Sequence, residues 1–343
     1  MHQSGGWRKH ERSSPRLTGI LRAMQSVFKF FPIYKERPWG GQAIAQLGTH
    51  RSLPAGRKIG ESWEISDRPD DESIIENGPF RGRSIRWLLD QHGSFIMGLP
   101  WKAGRRFPLL IKVLDAAERL SLQVHPPPRI ARELKGQPKM EMWYFLGAEP
   151  RAAVLAGLKK GVRREDFERH LRAQTLEPLI HRIPVSPGDA MVIPSGRIHA
   201  IDAGCLILEI QQNSDTTYRI YDWNRVEPDG KPRQLHIEQT LKSMNFHDFE
   251  PRLVKRPSKS GVRDLADFRH FHTQSWSLDQ ERPLPTETVV ILHMAEGQME
   301  IVSEAGEKCR LNRGETALLA ALPHQVRPVD NKVEVIVTWR DPL

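Results

Sequence analysis

Short apolar runs separated by Pro- and Gly-containing turns make up most of the chain from residue 28 onward. Within the runs, apolar and polar positions often alternate, which is typical of strands with one buried face. The clearest runs cover 107–113, 120–124, 289–294, 298–302 and 333–339. Many short strands between Gly or Pro turns predict antiparallel sandwiches or barrels, so we expect a mostly β fold.

Three segments have the apolar spacing of helices instead. Residues 84–93 predict a helix that begins after Ser84, a residue type suited to the N-cap, and ends at Gly93. A small helical insertion is predicted at about 161–181, and a third helix at 235–244, with Ile237 on its apolar face. These helices are excursions from the predominant β pattern.

The chain is long enough for two domains at 343 residues. Residues 1–23 combine Gly, Ser and basic residues with few apolar ones, which predicts a disordered basic tail. The segment 255–261 has the composition of a linker. We therefore expect one domain at 24–255 and a second at 262–343.

The net charge of +9 is concentrated near the start of the chain, where five basic residues face a single Glu. No stripe of basic and aromatic residues follows, so we expect no nucleic-acid partner, and no apolar run is long enough to predict a membrane span. The two cysteines lie far apart, which favours a reducing cytoplasm over a disulfide framework. A mildly basic body suits an anionic small substrate.

Two strand-like passages place polar side chains on one face. In residues 121–126, Gln123 and His125 alternate with apolar neighbours and therefore point the same way. In residues 139–144, the same rule aligns Lys139 with Glu141. A buried Lys and Glu would be unfavourable unless they were paired or bound to a metal, so both passages predict a polar site inside the fold.

A third passage, residues 188–199, has the spacing Gly, five residues, Pro, one residue, Gly, two residues, His. This spacing is the second motif of the cupin fold, a tight hairpin that brings a His to the interior of a jelly-roll barrel. An amide, two imidazoles and a carboxylate suit zinc, and also manganese, iron or cobalt. We expect one divalent metal, zinc by preference, bound by Gln123, His125, Glu141 and His199.

The C-terminal domain repeats the hairpin without its ligand. Residues 314–319 follow the pattern of 188–193, and the same spacing then reaches Gln325 where the first domain has its His. His324 is one position out of phase and is predicted to face the opposite side. We therefore expect two cupin-type jelly-roll barrels with a small helical insertion, the first metal-binding and catalytic, the second degenerate and metal-free.

These motifs identify a resemblance to type I mannose-6-phosphate isomerases of the short bacterial form. The resemblance is dense over 27–245. It implies a zinc-dependent aldose–ketose isomerase that interconverts mannose 6-phosphate and fructose 6-phosphate through an enediol, with the four ligands named above. The matching text lies at 39–41, 60–66, 120–126, 139–144, 209–219 and 221–223.

The resemblance also implies roles for residues around the metal. Its active-site arginine matches Arg219, its strand lysine matches Lys139, and its phosphate-associated serine matches Ser121. We expect Arg219 to stabilise charge on the enediolate or the phosphate. A proton must also move between C1 and C2, and a Lys139 with a pKa lowered by the metal could carry it. Glu64 and Glu209 are the alternative bases and are expected to contact the substrate.

Two other functions fit the same motifs. One is a non-catalytic sugar-phosphate binding protein, and the other is a metal cupin with different chemistry, such as an oxygenase or another sugar isomerase. The presence of both Lys139 and Arg219 favours the isomerase, because a protein that only binds need not have them. We expect a monomer or homodimer.

Overall fold

The computed structural model describes residues 24–48, 53–226, 230–256 and 261–340. The predicted tail at 1–23 and most of the predicted linker lie outside these ranges. Among the described residues the α-helices are α1 (Ile85–Met97), α2 (Pro128–Ala131), α3 (Arg164–Arg172) and α4 (Ile237–Ser243), with 3₁₀ turns at Ala43–Leu47 and Glu177–Leu179. None of these helices has the length and apolar character required to cross a membrane.

Strands dominate the structure, which confirms the predicted mostly β fold. The N-terminal part contains β1 (Val27–Lys29), β2 (Ile33–Gly41), β3 (Ile59–Ile65), β4 (Asp67–Arg68), β5 (Asp71–Glu72), β6 (Leu109–Ala116), β7 (Leu122–Val124), β8 (Glu141–Ala148), β9 (Ala153–Leu158), β10 (Ile180–Pro184), β11 (Ala190–Ile193), β12 (His199–Ile201), β13 (Cys205–Gln212) and β14 (Tyr218–Tyr221). The C-terminal part contains β15 (Val262–Phe268), β16 (Phe271–Leu278), β17 (Arg282–Pro283), β18 (Val290–Glu296), β19 (Gln298–Ser303), β20 (Lys308–Asn312), β21 (Thr316–Leu319), β22 (His324–Pro328) and β23 (Val333–Trp339).

Four antiparallel sheets stack in layers. The first sandwich pairs a five-stranded sheet (β10-β9-β12-β7-β14) with a six-stranded sheet (β11-β8-β13-β6-β3-β2). The second pairs another six-stranded sheet (β1-β21-β18-β23-β16-β15) with a four-stranded sheet (β17-β22-β19-β20). Apolar side chains fill each sandwich, because alternate positions of facing strands point inward.

The two six-stranded sheets also pack against each other. One continuous apolar cluster contains Met142 and Tyr144 from the first sandwich and Ile291 and Ile336 from the second. Strand β1 belongs by sequence to the predicted first domain, yet it pairs with β21 of the second sandwich. The two units therefore share one core, and their unfolding should be strongly coupled.

The predicted helices are present with altered ends. Ser84 caps α1 as expected, accepting a hydrogen bond from the backbone of Trp87, but the helix continues to Met97 and ends at Gly98, whose φ is 71°. The helical insertion is confirmed as α3 and the following 3₁₀ turn, between β9 and β10. In α4 the predicted apolar face is wrong at Ile237, which is 45% exposed.

Candidate metal centre and active site

The ligand residues predicted from the sequence meet inside the first sandwich. Side chains of His125, Glu141 and His199 converge, with ligand atoms all within 4.8 Å of one another. Gln123 joins them, its Nε2 lying 3.3 Å from Nε2 of His199. The three converging residues are at most 1% exposed, so the cluster is buried.

Strand register explains why these side chains meet. Leu122 and Val124 of β7 belong to an apolar cluster on the outer face of the sheet, which also contains Phe167 of α3. Gln123, which lies between them, therefore faces inward. Gln123 pairs with His199 across β7 and β12. The hairpin between β11 and β12 crosses from the six-stranded to the five-stranded sheet. Its turn residue Gly196 has a φ of 93°, a conformation that favours glycine.

The imidazoles are oriented as metal ligands usually are. Nδ1 of His125 donates to the carbonyl oxygen of Thr216 at 2.9 Å, and Nδ1 of His199 donates to that of Arg197 at 2.9 Å. Each Nε2 therefore has its lone pair directed towards the cluster. Burial, followed by the neighbouring His125, lowers the pKa of His199 to about 3 and keeps this imidazole neutral.

The carboxylate of the cluster has unsatisfied hydrogen-bonding capacity. Glu141 Oε1 lies 2.9 Å from Nε2 of His125 and 2.8 Å from Nζ of Lys139. Even so, neither carboxylate oxygen of Glu141, nor Nε2 of His125, makes a hydrogen bond of good geometry. Buried atoms of this kind are normally satisfied, and a divalent cation would satisfy all three together. The donor set and its burial therefore fit zinc.

A polar cavity of about 480 Å³ lies above the cluster. It opens between the two sheets and receives side chains from both. Among the described residues that line it, none offers a sulfur ligand and many are charged. Of the site residues predicted from the sequence, the cavity is lined by Ser121, Gln123, Lys139, Glu209 and Arg219.

Lys139 connects the cavity to the cluster. Burial alone would lower the pKa of Lys139, but the carboxylates of Glu141 and Glu209 outweigh it and raise that pKa above its ordinary value. The protein's own carboxylates thus act on the pKa of Lys139 in the direction opposite to that expected of a bound metal, and a pKa lowered by the metal stays a prediction. Burial, and then repulsion from Glu141, raises the pKa of Glu209 to about 7.

The sequence reasoning missed a buried row of charges on the six-stranded sheet. Nζ of Lys112 lies 3.4 Å from Oε2 of Glu61 and 3.6 Å from Oε2 of Glu209. Arg37 Nε also contacts Glu61 at 2.6 Å. The available signal was Lys112 itself, a single charged residue in the middle of the otherwise apolar run at 109–114.

Glu64 is not placed in the cavity. Its Oε1 accepts a hydrogen bond from Ser62 at 2.6 Å, and its Oε2 from Thr316 of the second sandwich at 3.4 Å. Glu64 lies on the face of β3 that packs against the second sandwich. The carboxylate that β3 contributes to the cavity is that of Glu61. The physical reason is strand alternation, because Glu61 and Glu64 are three residues apart and so point to opposite faces.

Arg219 and Ser121 lie together at the edge of the cavity. Nε of Arg219 donates to Oγ of Ser121 at 3.1 Å, and Nη1 donates to the carbonyl oxygen of Gln234 at 3.1 Å. Arg219 pairs with Gln123 across β14 and β7, which places its strand position beside the metal ligands. The side chain of Arg219 therefore lies at the cavity, and not on a strand face directed away from it.

His324 differs from its prediction. It is 3% exposed, whereas Gln325 is exposed, so His324 faces inward together with Val326. Its Nε2 lies 3.0 Å from Oγ of Ser26, which also donates to Glu307 at 2.6 Å. Within the described part of the second sandwich, no three potential ligand atoms converge.

The layered fold and the buried His-Glu-His cluster define a two-cupin protein with a candidate metal site beneath a polar cavity. A family model described as phosphomannose isomerase type I, catalytic domain, matches residues 27–144. The mannose-6-phosphate isomerase ManA of Bacillus subtilis is 32% identical over 287 residues, covering 80% of this chain and 87% of the relative. The chain therefore belongs to the family of type I mannose-6-phosphate isomerases, which are aldose–ketose isomerases.

Further relatives agree with this membership. A mannose-6-phosphate isomerase of Streptococcus mutans is 37% identical over 204 residues, covering 59% of this chain and 63% of the relative. The crystal structure of the mannose 6-phosphate isomerase from Bacillus subtilis superposes with a TM-score of 0.81 at 29% identity, covering 92% of this chain and 99% of that one. A putative mannosephosphate isomerase from Archaeoglobus fulgidus, at 24% identity and a TM-score of 0.74, shares the fold.

Proposed function

We propose that this protein catalyses the reversible conversion of mannose 6-phosphate into fructose 6-phosphate, with one zinc ion held by Gln123, His125, Glu141 and His199. The observation that carries the proposal is the buried cluster beneath a cavity lined by both cations and carboxylates. Family membership supplies the substrate, and the cluster supplies the chemistry that the reaction requires. The proposed catalytic unit is residues 24–255, apart from strand β1, and residues 262–343 form the proposed metal-free unit.

The reaction moves a proton from C2 to C1 and exchanges protons between the two oxygens. Zinc, when bound, supplies positive charge that stabilises the enediolate. Glu209 is the cavity carboxylate whose pKa is about 7, so it suits the removal of the proton from C2 and its return to C1. Lys139 gives a proton to O1 and takes the hydroxyl proton of O2, so it ends in the protonation state in which it began, and Arg219 stabilises negative charge. Ser121 contacts the substrate beside Arg219.

Two neighbouring side chains hold the carboxylate of Glu209 in position. Trp143 donates a hydrogen bond through Nε1 to Oε1 of Glu209 at 3.1 Å, which fixes the proposed base against the wall. Lys112 contacts its other oxygen. A base held on both sides has a restricted orientation within the cavity, which favours proton transfer to and from a bound substrate. We also propose a cytoplasmic location, since Cys205 and Cys309 are both free thiols.

The test is a coupled assay of fructose 6-phosphate formation by the zinc-loaded protein. Mannose 6-phosphate should be turned over, chelation should abolish activity, and added zinc should restore it. Glu141→Ala serves as the matched inactive control. A zinc-loaded protein that binds mannose 6-phosphate without turnover would contradict the proposal and support the binding-protein alternative.

A further inference from the structure

The loop between β13 and β14, residues 213–217, holds one of the proposed metal ligands. The carbonyl oxygen of Thr216 accepts the hydrogen bond from Nδ1 of His125 at 2.9 Å. Because a carbonyl oxygen can only accept, this bond keeps the imidazole proton on Nδ1 and leaves the lone pair on Nε2, the atom directed at the cluster. The position of this one carbonyl group therefore determines how well His125 is prepared to bind a metal.

A buried amide supports this loop from inside the first sandwich. Gln211, the last residue but one of β13, is fully buried, and its Nε2 donates to the carbonyl oxygens of Gln212 at 2.9 Å and of Ser214 at 2.6 Å. Only the nitrogen of an amide side chain can donate to two carbonyl oxygens, so the orientation of the Gln211 side chain is fixed. Both N–H groups of this amide hold the beginning of the loop.

A chain of hydrogen bonds connects Gln211 to the metal ligand. Gln211 holds the carbonyl oxygen of Ser214, and Oγ of Ser214 accepts from the backbone N–H of Thr216 at 3.2 Å. The next bond joins the carbonyl oxygen of Thr216 to His125. A displacement of Ser214 would therefore also move the hydrogen-bond partner of His125.

The strand register brings the same amide beside a second proposed ligand. Gln211 pairs directly with Glu141 across β13 and β8, so both side chains point into the first sandwich. Gln211 itself is not among the described residues that line the cavity above the cluster. An influence of Gln211 on the reaction therefore passes through the metal centre and not through a contact with the substrate.

We propose that Gln211 is a positioning residue of the metal centre, which holds the loop so that the carbonyl oxygen of Thr216 orients His125 for metal binding. This inference rests on the proposed function, because it takes the proposed zinc ion as the metal that His125 binds. Removing the direct partner of a metal ligand typically lowers metal affinity about tenfold to a hundredfold. Gln211 acts through the loop and not directly on His125, so its removal should have an effect near the lower end of this range.

The experiment compares the zinc affinities of Gln211→Met and Gln25→Met, measured by competition with a chelator. Gln25 is a matched control just before β1, because it is also buried and its Nε2 also donates to two backbone carbonyl oxygens, those of Val27 at 2.9 Å and Asn77 at 3.2 Å. Both variants should unfold at lower temperatures than the wild type, since each loses buried hydrogen bonds.

Only Gln211→Met should bind zinc more weakly, by about tenfold. At saturating zinc its kcat should stay within about twofold of the wild-type value, because Gln211 does not contact the substrate. Unchanged zinc affinity in Gln211→Met would overturn the assignment. An equal loss of affinity in both variants would also overturn it, because the loss would then follow from lower stability alone.

A second variant covers the case in which Gln211→Met does not fold. Ser214→Ala removes the hydroxyl that accepts from Thr216 in the same chain of hydrogen bonds. It should also weaken zinc binding, and unchanged zinc affinity in this variant would refute the proposed role of the loop.

NMR of the metal-free protein tests the orientation of His125 without zinc or turnover. The imidazole nitrogens of the wild type should show the proton on Nδ1, whereas Gln211→Met should show a mixture of the two tautomers. A mixture in Gln211→Met together with weaker zinc binding supports the inference even if the wild-type protein proves inactive as an isomerase. An active isomerase in which Gln211→Met leaves both the tautomer and the zinc affinity unchanged refutes the inference alone.

Discussion

The replacement of Arg219 by Ala separates a catalytic role from a structural one. In the folded protein the hydrogen bonds of Arg219 include those to two neutral acceptors, Ser121 Oγ and the carbonyl oxygen of Gln234, both at 3.1 Å. Hydrogen bonds to charged groups contribute about 1.5–3 kcal/mol when buried, and these lie at the edge of an open cavity. At the lower value typical of part-exposed bonds, about 0.5–1.5 kcal/mol each, the unfolding free energy should fall by about 1–3 kcal/mol.

The effect on turnover should be larger than this stability change. A donor that stabilises charge formed only in the transition state contributes about 2.7–4 kcal/mol, which corresponds to a loss of about a hundredfold to a thousandfold in kcat. Arg219→Ala should keep its zinc, because Arg219 is not among the converging ligands. Arg219→Lys retains the positive charge but not the planar guanidinium, so it should lose less activity than Arg219→Ala.

The assay measures kcat and KM by coupled fructose 6-phosphate detection, with zinc content by elemental analysis and a thermal melt on the same sample. A collapse of kcat with zinc retained supports charge stabilisation. A rise in KM alone would make Arg219 a phosphate anchor. A change of less than about twofold in both constants would refute any role in the reaction.

Three further outcomes follow from the geometry. By elemental analysis the wild type should carry one zinc ion per chain, and Glu141→Ala and His199→Ala should each lose it. Full occupancy in both variants would contradict the ligand assignment. His324→Ala should keep zinc and turnover while its unfolding free energy falls by about 1–3 kcal/mol, because a buried hydrogen bond to Ser26 is removed; loss of a second bound metal would contradict a metal-free second unit. Burial alone would raise the pKa of Glu61, but Lys112 and Arg37 outweigh it and lower the pKa from 4.5 to about 2. The ionised Glu61 therefore contributes stability above pH 4.5 that is lost as the pH falls towards 2, roughly 3 kcal/mol in total. Denaturant unfolding of Glu61→Gln should lose most of this acid dependence, and an unchanged profile would show that the pair with Lys112 is not responsible.

Several features of the site followed from the sequence alone. Alternation within one strand was enough to place Gln123 with His125, and Lys139 with Glu141, on shared faces. The hairpin at 188–199 specified its own geometry through Pro and a glycine at positive φ. Each of these inferences spans few residues, so local periodicity and turn chemistry determine it.

Other features depended on which strands became neighbours. Lys112 and Glu209 contact each other because β6 and β13 pair, although almost a hundred residues separate them in the chain. Similarly, β1 joins the sheet of the second sandwich through β21. Periodicity shows which face of a strand a residue occupies but not which strand lies beside it, so the charged row and the shared core could not be predicted.

The errors at Glu64 and His324 have a related origin. A strand reverses the direction of its side chains at every residue, so a small error in phase moves a side chain to the other face. Glu64 was taken as a cavity residue and lies between the domains, while His324 was expected outside and lies buried against Ser26. The sequence predicted the buried His125, Glu141 and His199 cluster and the type of fold, whereas strand phase and pairing in the tertiary structure decided which charged residues surround the cluster.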